Sequence, residues 1–181
     1  MDDEDDNVPL TGRVREKLVE TKQEWAREGR LLTGQTADPS RDRLPPGQRL
    51  VQDWPVLDLG VQPDIAKEKW RLRLEGLVEA PLRLDWDAFM ALPQAEAVND
   101  IHCVTQWSRY DNHWQGVRAR DLIGMARPKE EARFVSFTCY DGYTTNLPLA
   151  ELMREEVLFA HAWEGKPLTR QHGGPVRLVL P

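Results

Sequence analysis

The sequence predicts a mixed α+β fold in which short strands are separated by helices of one to three turns. Residues 70–75 and 133–139 alternate apolar and polar side chains, as strands with one solvent-exposed face do. Residues 119–126 instead place Leu122, Ile123 and Ala126 at helical spacing. Prolines and glycines interrupt these segments at short intervals, which favours many short elements over a few long ones.

The first 48 residues predict an extension and a connector rather than a part of the globular domain. Val14, Leu18 and Trp25 form a thin apolar stripe behind an acidic start, which predicts an amphipathic helix that ends at Gly29. Residues 33–48 are rich in Gly, Pro, Asp and Ser and predict an irregular connector. We therefore place the globular domain at residues 49–181.

Within the domain, the elements follow one another closely. Pro55 and Pro63 keep the segment around residues 54–57 extended. Asp85 is suited to cap a helix over residues 86–92 that Pro93 ends. The remaining pattern predicts strands at 82–84, 98–104, 133–139, 158–163 and 176–180, and helices at 119–126 and 149–153.

Composition and charge exclude several classes of protein. The chain has 181 residues, enough for one sizeable core, and a net charge of −6. Most of that charge lies in the acidic run at residues 2–6, so the rest is nearly neutral and offers no basic face for nucleic acid. No apolar run approaches the roughly 18 residues of a membrane-spanning helix. The acidic start, unlike a signal peptide, predicts a cytoplasmic protein whose cysteines, Cys103 and Cys139, are reduced and unlinked.

Common enzyme motifs are missing from the sequence. It contains no Gly-x-Gly-x-x-Gly, no Gly-Lys-Ser/Thr phosphate loop, no Gly-x-Ser-x-Gly and no His-Glu-x-x-His. Dinucleotide binding by a Rossmann unit, nucleotide hydrolysis and zinc peptidase chemistry therefore have no local support. What remains is the segment 100–108, where Cys103 follows an apolar run and enters a polar loop. Its thiol could bind a soft metal, attack a substrate or pack as a small hydrophobe.

Four pieces of sequence, taken together, carry a family resemblance. Ile101-His102-Cys103-Val104-Thr105 is followed by Trp114-x-Gly116, then by Gly-Tyr-Thr-Thr-Asn-Leu-Pro-Leu at 142–149, then by His-Gly-Gly-Pro-x-Arg at 172–177. In this order they resemble the sulfite oxidase superfamily of molybdenum enzymes. The chain is most similar to small bacterial sulfite-oxidase-like oxidoreductases that consist of little besides a molybdopterin-binding domain. The resemblance runs from about residue 44 to 181.

The resemblance implies a role for each matching residue. Cys103 would be the metal ligand, and Tyr143 a catalytic phenol that donates a hydrogen bond to a substrate oxygen. His172 and Arg177 would hold the cofactor, as would whichever of Thr138 and Cys139 faces it, and His102 would orient the loop. Trp107 and Trp114 would wall the pocket or pack in the core.

The resemblance also implies an activity and partners. We expect a molybdopterin-dependent oxidoreductase that transfers an oxygen atom and two electrons between a small-molecule substrate and a separate electron-transfer protein. Sulfite oxidases bind their anion with an Arg-Asn-His run, whereas this chain has Leu57-Asp58-Leu59, so we do not expect sulfite as the substrate. Relatives continue beyond the position of Pro181, so we expect the domain to be short at its C-terminus.

Two alternatives stay open at this point. The first is a cofactor-free member of the fold that serves as a protein-interaction module through the Val14, Leu18 and Trp25 helix. The second is a tetrahedral zinc site built from His102, Cys103, Cys139 and His172, although their spacing lacks the paired short loops that such sites use.

Overall fold

A computed structural model describes residues 43–57, 60 and 62–181. The predicted N-terminal helix and most of the predicted connector lie outside these residues, as do Asp58 and Leu59. Contacts divide the chain into two compact units. The described part of the smaller unit consists of residues 43–51 and 102–108, and the larger unit takes the rest from residue 52 onward.

The smaller unit is built on a short parallel pairing. Strand β1 (Arg49–Leu50) pairs with the first two residues of the long strand β5 (Trp107–Arg118). The end of strand β4 (Ala95–Cys103) also belongs to this unit. A tight turn joins β4 to β5, and the amide of Gln106 donates to the carbonyl of Cys103 at 3.0 Å.

The larger unit has an antiparallel sheet at its centre. Strand β8 (Leu158–Trp163) pairs with β5, with β9 (Lys166–Pro167) and with β10 (Arg177–Val179). Strand β4 pairs with β5. Every second residue of β8 is buried, as its alternating burial shows, so β8 turns one face of the sheet into the core.

Two hairpins and three short helices complete the larger unit. One hairpin joins β2 (Arg71–Leu74) to β3 (Leu82–Asp85), and the other joins β6 (Phe134–Thr138) to β7 (Thr144–Pro148). The helices are α1 (Trp86–Met90), α2 (Ala119–Ala126) and α3 (Leu149–Leu152), and two 3₁₀ turns cover Lys67–Lys69 and Arg170–His172. The predicted mixed α+β fold is confirmed.

Most predicted elements lie where expected, with shifted ends. Helix α2 spans the predicted residues, and Asp85 caps α1 by accepting from the amide of Ala88 at 2.9 Å. That helix ends at Met90 rather than at residue 92. The strand predicted at 98–104 begins earlier, at Ala95, and ends at Cys103. No helix in the described part of the chain is long and apolar enough to cross a membrane.

A close approach of two backbones joins β5 to β8 in the larger unit. The register between the strands shifts at Gln115 and Gly116. A Cβ atom added at Gly116 would lie 2.2 Å from the carbonyl oxygen of Phe159 and 2.6 Å from the Cα of Ala160. Only glycine can occupy this position without moving a strand. Ala160 in turn pairs with Arg177 of β10, so the contact at Gly116 lies one strand away from a predicted cofactor-binding residue.

Candidate functional site

Cys103 stands at the end of β4, as predicted, with a free and partly exposed side chain. Its Sγ lies 3.2 Å from the Oγ1 of Thr105. Cys139, the other cysteine, is also free, so the structure has no disulfide between the two. A partly exposed thiol is open to metal binding or to chemistry, which a fully buried one would not be.

The backbone of Cys103 is held from two directions within the smaller unit. Its carbonyl accepts from the amide of Gln106 at 3.0 Å and from the Nε2 of Gln48 at 2.9 Å. Gln106 adopts a left-handed conformation with φ of 67°, which an ordinary residue rarely does outside a tight turn. The position of the sulfur is thus set by a constrained turn and a side-chain brace.

His102 takes part in the same brace. Its Nδ1 lies 2.8 Å from the Oγ of Ser108, and that hydroxyl donates to the Oε1 of Gln48 at 3.3 Å. Because the hydroxyl proton goes to Gln48, Nδ1 of His102 is the donor to Ser108. Ser108, at the centre of this chain of hydrogen bonds, is fully buried, whereas Gln48 is partly buried and His102 is exposed. Gln48 lies in the predicted connector, and no sequence pattern singled it out.

The predicted cofactor loop follows β9 in the larger unit. It contains the 3₁₀ turn Arg170–His172 and then two glycines. Gly173 has φ of 83°. A Cβ atom at Gly174 would lie 2.3 Å from the carbonyl oxygen of Leu168, so the loop can close on the segment before it only with glycine here.

His172 has a partner at each ring nitrogen. Its Nε2 lies 3.2 Å from the carbonyl oxygen of Trp54, which can only accept, so Nε2 carries the proton. Its Nδ1 lies 3.0 Å from the hydroxyl of Thr169, which donates to it in the neutral ring. The two hydrogen bonds fix both the tautomer and the plane of the ring, and direct binding of a ligand by His172 would have to displace one of them.

Arg177 is anchored at one end of its guanidinium and unpartnered at the other. Its Nη1 donates to the carbonyl of His172 at 3.1 Å. Its Nε is shielded from solvent and has no hydrogen-bond partner among the residues that the structure describes. Burial lowers the pKa of the guanidinium below its ordinary value. A shielded cationic donor without an acceptor is unfavourable unless an anionic ligand supplies one.

The remaining predicted residues lie on the hairpin of β6 and β7. Thr138 pairs with Thr144, and the amide of Cys139 donates to the carbonyl of Tyr143 at 2.8 Å. Thr138 and Cys139 are both exposed, and Tyr143 is 48% exposed. Burial of the thiol, and then the charge of Asp141, raise the pKa of Cys139. The structure therefore leaves all three side chains accessible rather than packed in the core.

A tyrosine that the sequence did not point to steadies this hairpin. The hydroxyl of Tyr140 accepts from the amide of Arg71 at 2.8 Å and donates to the carbonyl of the same residue at 3.1 Å. The loop that carries Cys139 and Tyr143 is thus fastened to the start of β2. The signal available in the sequence was a tyrosine in a turn, which is too common to be informative.

The predicted residues thus form three groups. His172 and Arg177 contact each other; Thr138, Cys139 and Tyr143 share one hairpin; and His102 and Cys103 lie in the smaller unit. No hydrogen bond between described residues links the hairpin group to the His172 and Arg177 group. Within the described ranges, no group of three or more His, Cys, Asp or Glu side chains could hold a metal ion by itself.

The two tryptophans predicted to wall a pocket or to pack in the core are both buried. Trp114 is 1% exposed and lies in a core cluster with Leu158 and Ala160, so it packs in the core. A cavity of about 340 Å³ does open beside it, bounded by carboxylate, amide and apolar side chains. Trp114 lines this cavity, and the other predicted site residues do not. The walls are Glu96, Ala97, Val98, His113, Trp114, Gln115, Glu164 and Gly165.

The free cysteine at the end of β4 is a ligand suited to a soft metal. In the larger unit, the shielded arginine beside the Gly-Gly loop is a donor suited to an anionic ligand. The comparison of sequences makes this specific. The chain belongs to the family described as "oxidoreductase molybdopterin binding domain", whose sequence model matches residues 59–181. The resemblance to the sulfite oxidase superfamily is confirmed, and molybdopterin is the cofactor of the matched domain.

Relatives with known names support the same family. The chain is 47% identical over 140 residues to the uncharacterized oxidoreductase YuiH of Bacillus subtilis, covering 77% of this chain and 71% of that protein. It is 32% identical over 131 residues to the protein-methionine-sulfoxide reductase catalytic subunit MsrP of Campylobacter jejuni, covering 63% of this chain and 44% of that one. The NADH nitrate reductase of Volvox carteri is 27% identical over 220 residues, covering 97% of this chain and 25% of the reductase.

A solved structure shares the fold. The sulfane dehydrogenase SoxCD from Paracoccus pantotrophus matches with a TM-score of 0.60 at 22% identity. The match covers 66% of this chain and 36% of that chain. The chain thus spans less than half of the Campylobacter, Volvox and Paracoccus proteins that it matches.

Proposed function

We propose that this chain is a molybdopterin-dependent oxidoreductase that transfers an oxygen atom and two electrons at a molybdenum centre held by Cys103. The family match supports the cofactor. The names of two relatives, a protein-methionine-sulfoxide reductase and a nitrate reductase, support the type of reaction, since each describes the reduction of an oxygen-bearing group. When bound, the cofactor supplies the redox-active metal.

The observation that carries the proposal is the state of Cys103. Its thiol is free and partly exposed, while its carbonyl is fixed by Gln106 and Gln48. A rigid backbone beneath an accessible soft ligand is what a metal site needs, because a ligand that is already in place loses little entropy on binding. His102 supports the arrangement through Ser108 rather than as a ligand itself.

The residues of the larger unit, taken by themselves, offer groups that an anionic cofactor needs. The Nε of Arg177 is a shielded donor that lacks an acceptor, and an anionic group of the cofactor would supply one. The carbonyl of His172 accepts from the Nη1 of Arg177 and so holds the guanidinium in place. Thr138 and Cys139 lie on an accessible hairpin and would add polar contacts to the cofactor.

Tyr143 is proposed as the residue that meets the substrate. Its phenol is half exposed, so its hydroxyl can donate a hydrogen bond to a substrate oxygen. The substrate is a small molecule other than sulfite, since residues 57–59 lack the cationic run that binds that anion. Electrons are exchanged with a separate protein, and we place the reaction in the cytoplasm and in a domain of residues 49–181.

Metal analysis tests the proposal directly. The protein is produced in a host that synthesises the cofactor, and molybdenum per chain is measured for the wild type, for Cys103→Ser and for Cys139→Ser. Both substitutions exchange one free sulfur for oxygen, the first at the proposed metal ligand and the second at a proposed polar contact that serine can still make. We expect Cys103→Ser to lose nearly all of its molybdenum, and Cys139→Ser to keep most of it.

Two results would contradict the assignment. A wild type with no more molybdenum than Cys103→Ser would remove the enzyme proposal. A wild type that is loaded, with Cys139→Ser emptier than Cys103→Ser, would keep the cofactor but move its ligand away from residue 103.

A further inference from the structure

Trp54 lies before the first residue of the family match, which begins at residue 59, so the family does not assign it a role. It belongs to a segment without regular secondary structure in the larger unit, and its side chain is half-buried. Its ring and its carbonyl nevertheless contact both proposed cofactor-binding residues of the His172 loop.

Trp54 contacts His172 twice. The carbonyl of Trp54 accepts the proton of the His172 Nε2 at 3.2 Å. The two rings are stacked, with centroids 4.1 Å apart and planes inclined by 24°. A hydrogen bond in the ring plane and a stack across it together leave the imidazole no free rotation.

Trp54 also contacts Arg177. The Cζ of the guanidinium lies 4.9 Å from the centre of the Trp54 ring, within the range of a cation–π interaction. The same guanidinium reaches the carbonyl of His172 through Nη1. Trp54, His172 and Arg177 therefore form a closed triangle of contacts, in which the shielded Nε of Arg177 has no hydrogen-bond partner among the described residues.

The triangle rests on the core of the larger unit. The Trp54 ring packs edge-on against Trp114 at 5.4 Å and against Trp163 at 5.0 Å. Trp114 is almost completely buried, so this end of the Trp54 ring cannot move without disturbing the core. Trp54 thus connects a rigid core to a glycine-containing loop.

We propose that Trp54 is a positioning residue that holds His172 and Arg177 in the arrangement that binds the cofactor, with the Nε of Arg177 directed to an anionic group. This inference rests on the proposed function. A stack and a cation–π contact both need an aromatic face, so the role differs from plain packing. Phenylalanine at position 54 should preserve it, and methionine, which fills space without a ring, should not.

Three variants test the role. Trp54→Met removes the aromatic face, Trp54→Phe keeps it, and Trp86→Met is the control. Trp86 is also a half-buried tryptophan, but it packs against Trp70 and Phe89 in another cluster. Molybdenum per chain is followed over time after the protein is freed of unbound cofactor. We expect Trp54→Met to lose molybdenum about ten-fold faster than the wild type, and the other two variants to lose it within about two-fold of the wild-type rate.

A second measurement does not require the cofactor. The chain has four histidines, and His172→Gln assigns the signals of His172 in nuclear magnetic resonance spectra. The wild type should show His172 as the Nε2-protonated tautomer, with carbon-bound ring protons shifted upfield by the stacked indole. Trp54→Phe should keep an upfield shift, and Trp54→Met should lose it.

The outcomes separate the two proposals. A wild type without molybdenum refutes the proposed function. A loaded wild type in which Trp54→Met retains molybdenum as well as Trp86→Met does refutes the positioning role alone. If Trp54→Met fails to fold, the wild-type spectrum still decides, because the absence of the upfield shift or of the Nε2 tautomer overturns the role.

Discussion

Replacing Gly116 with alanine should weaken the sheet of the larger unit and disturb the strand beside Arg177. The added methyl carbon would lie 2.2 Å from the carbonyl oxygen of Phe159, 2.6 Å from the Cα of Ala160 and 2.8 Å from the carbonyl carbon of Phe159. All three atoms belong to the backbone of β8, so no side-chain rotation can relieve the contact. The strands must separate by about 1 Å or more to restore ordinary carbon–oxygen distances.

The expected cost follows from this geometry. Overpacking a core costs about 1–3 kcal/mol when side chains can adjust, and here we expect the upper end, about 3 kcal/mol. For a chain of this size that lowers the melting temperature by about 6–12 °C. Because Ala160 pairs with Arg177, we also expect less molybdenum per folded chain.

The assay is thermal unfolding together with metal analysis, and Gly124→Ala is the matched control. Gly124 lies in α2, and an added Cβ atom there meets no other atom within 4 Å. Alanine at 124 should raise the free energy of unfolding by about 0.5–1 kcal/mol, because it restricts the unfolded chain and favours the helix. If the free energy of unfolding of Gly116→Ala lies within about 1 kcal/mol of the wild-type value, the inferred close approach of β5 and β8 is wrong.

Two further predictions concern the cofactor loop and the pH dependence of stability. Gly174→Ala should destabilise the protein by about 1–3 kcal/mol and reduce its molybdenum content, measured by thermal unfolding and metal analysis, since the new atom would meet the carbonyl of Leu168. Burial and the charge of Lys67 lower the pKa of His161, so near and below pH 6.5 the folded state binds fewer protons than the unfolded state. The wild type should therefore lose stability as the pH falls from 7.5 to 5.5, and His161→Gln should lose less; equal losses in melting temperature would contradict this prediction.

The regular elements with a clear hydrophobic period were predictable. Helix α2 and strand β8 have the predicted bounds because their apolar residues repeat at the helical and strand periods, and Pro128 follows α2. Strand β5, the longest of the described strands, was not predicted. It places Asn112 in the interior, where its amide donates to the carbonyls of Asn99 and Arg109 and its oxygen accepts from Trp163. A buried polar residue that bonds to Asn99 and Trp163 on other strands breaks the alternation that reveals a strand.

The predicted site residues followed from a family resemblance, but the residues that hold them in place did not. Tyr143, His172 and Arg177 stand in short motifs that can be recognised by eye. Gln48 contacts Cys103, and Trp54 contacts His172, only because the chain folds back over 55 or more residues. No pattern in a single sequence indicates such a long-range contact, whereas a short motif can be recognised from its own residues.

The brace from Gln48 to Cys103 has a practical consequence for anyone who dissects this protein. A fragment that begins at residue 59, where the family match starts, would omit the amide that holds the carbonyl of Cys103. It would also omit β1, so the first residues of β5 would lose their parallel neighbour. Such a fragment could retain every motif residue and still hold its thiol poorly, and its failure to take up metal would say little about the intact chain.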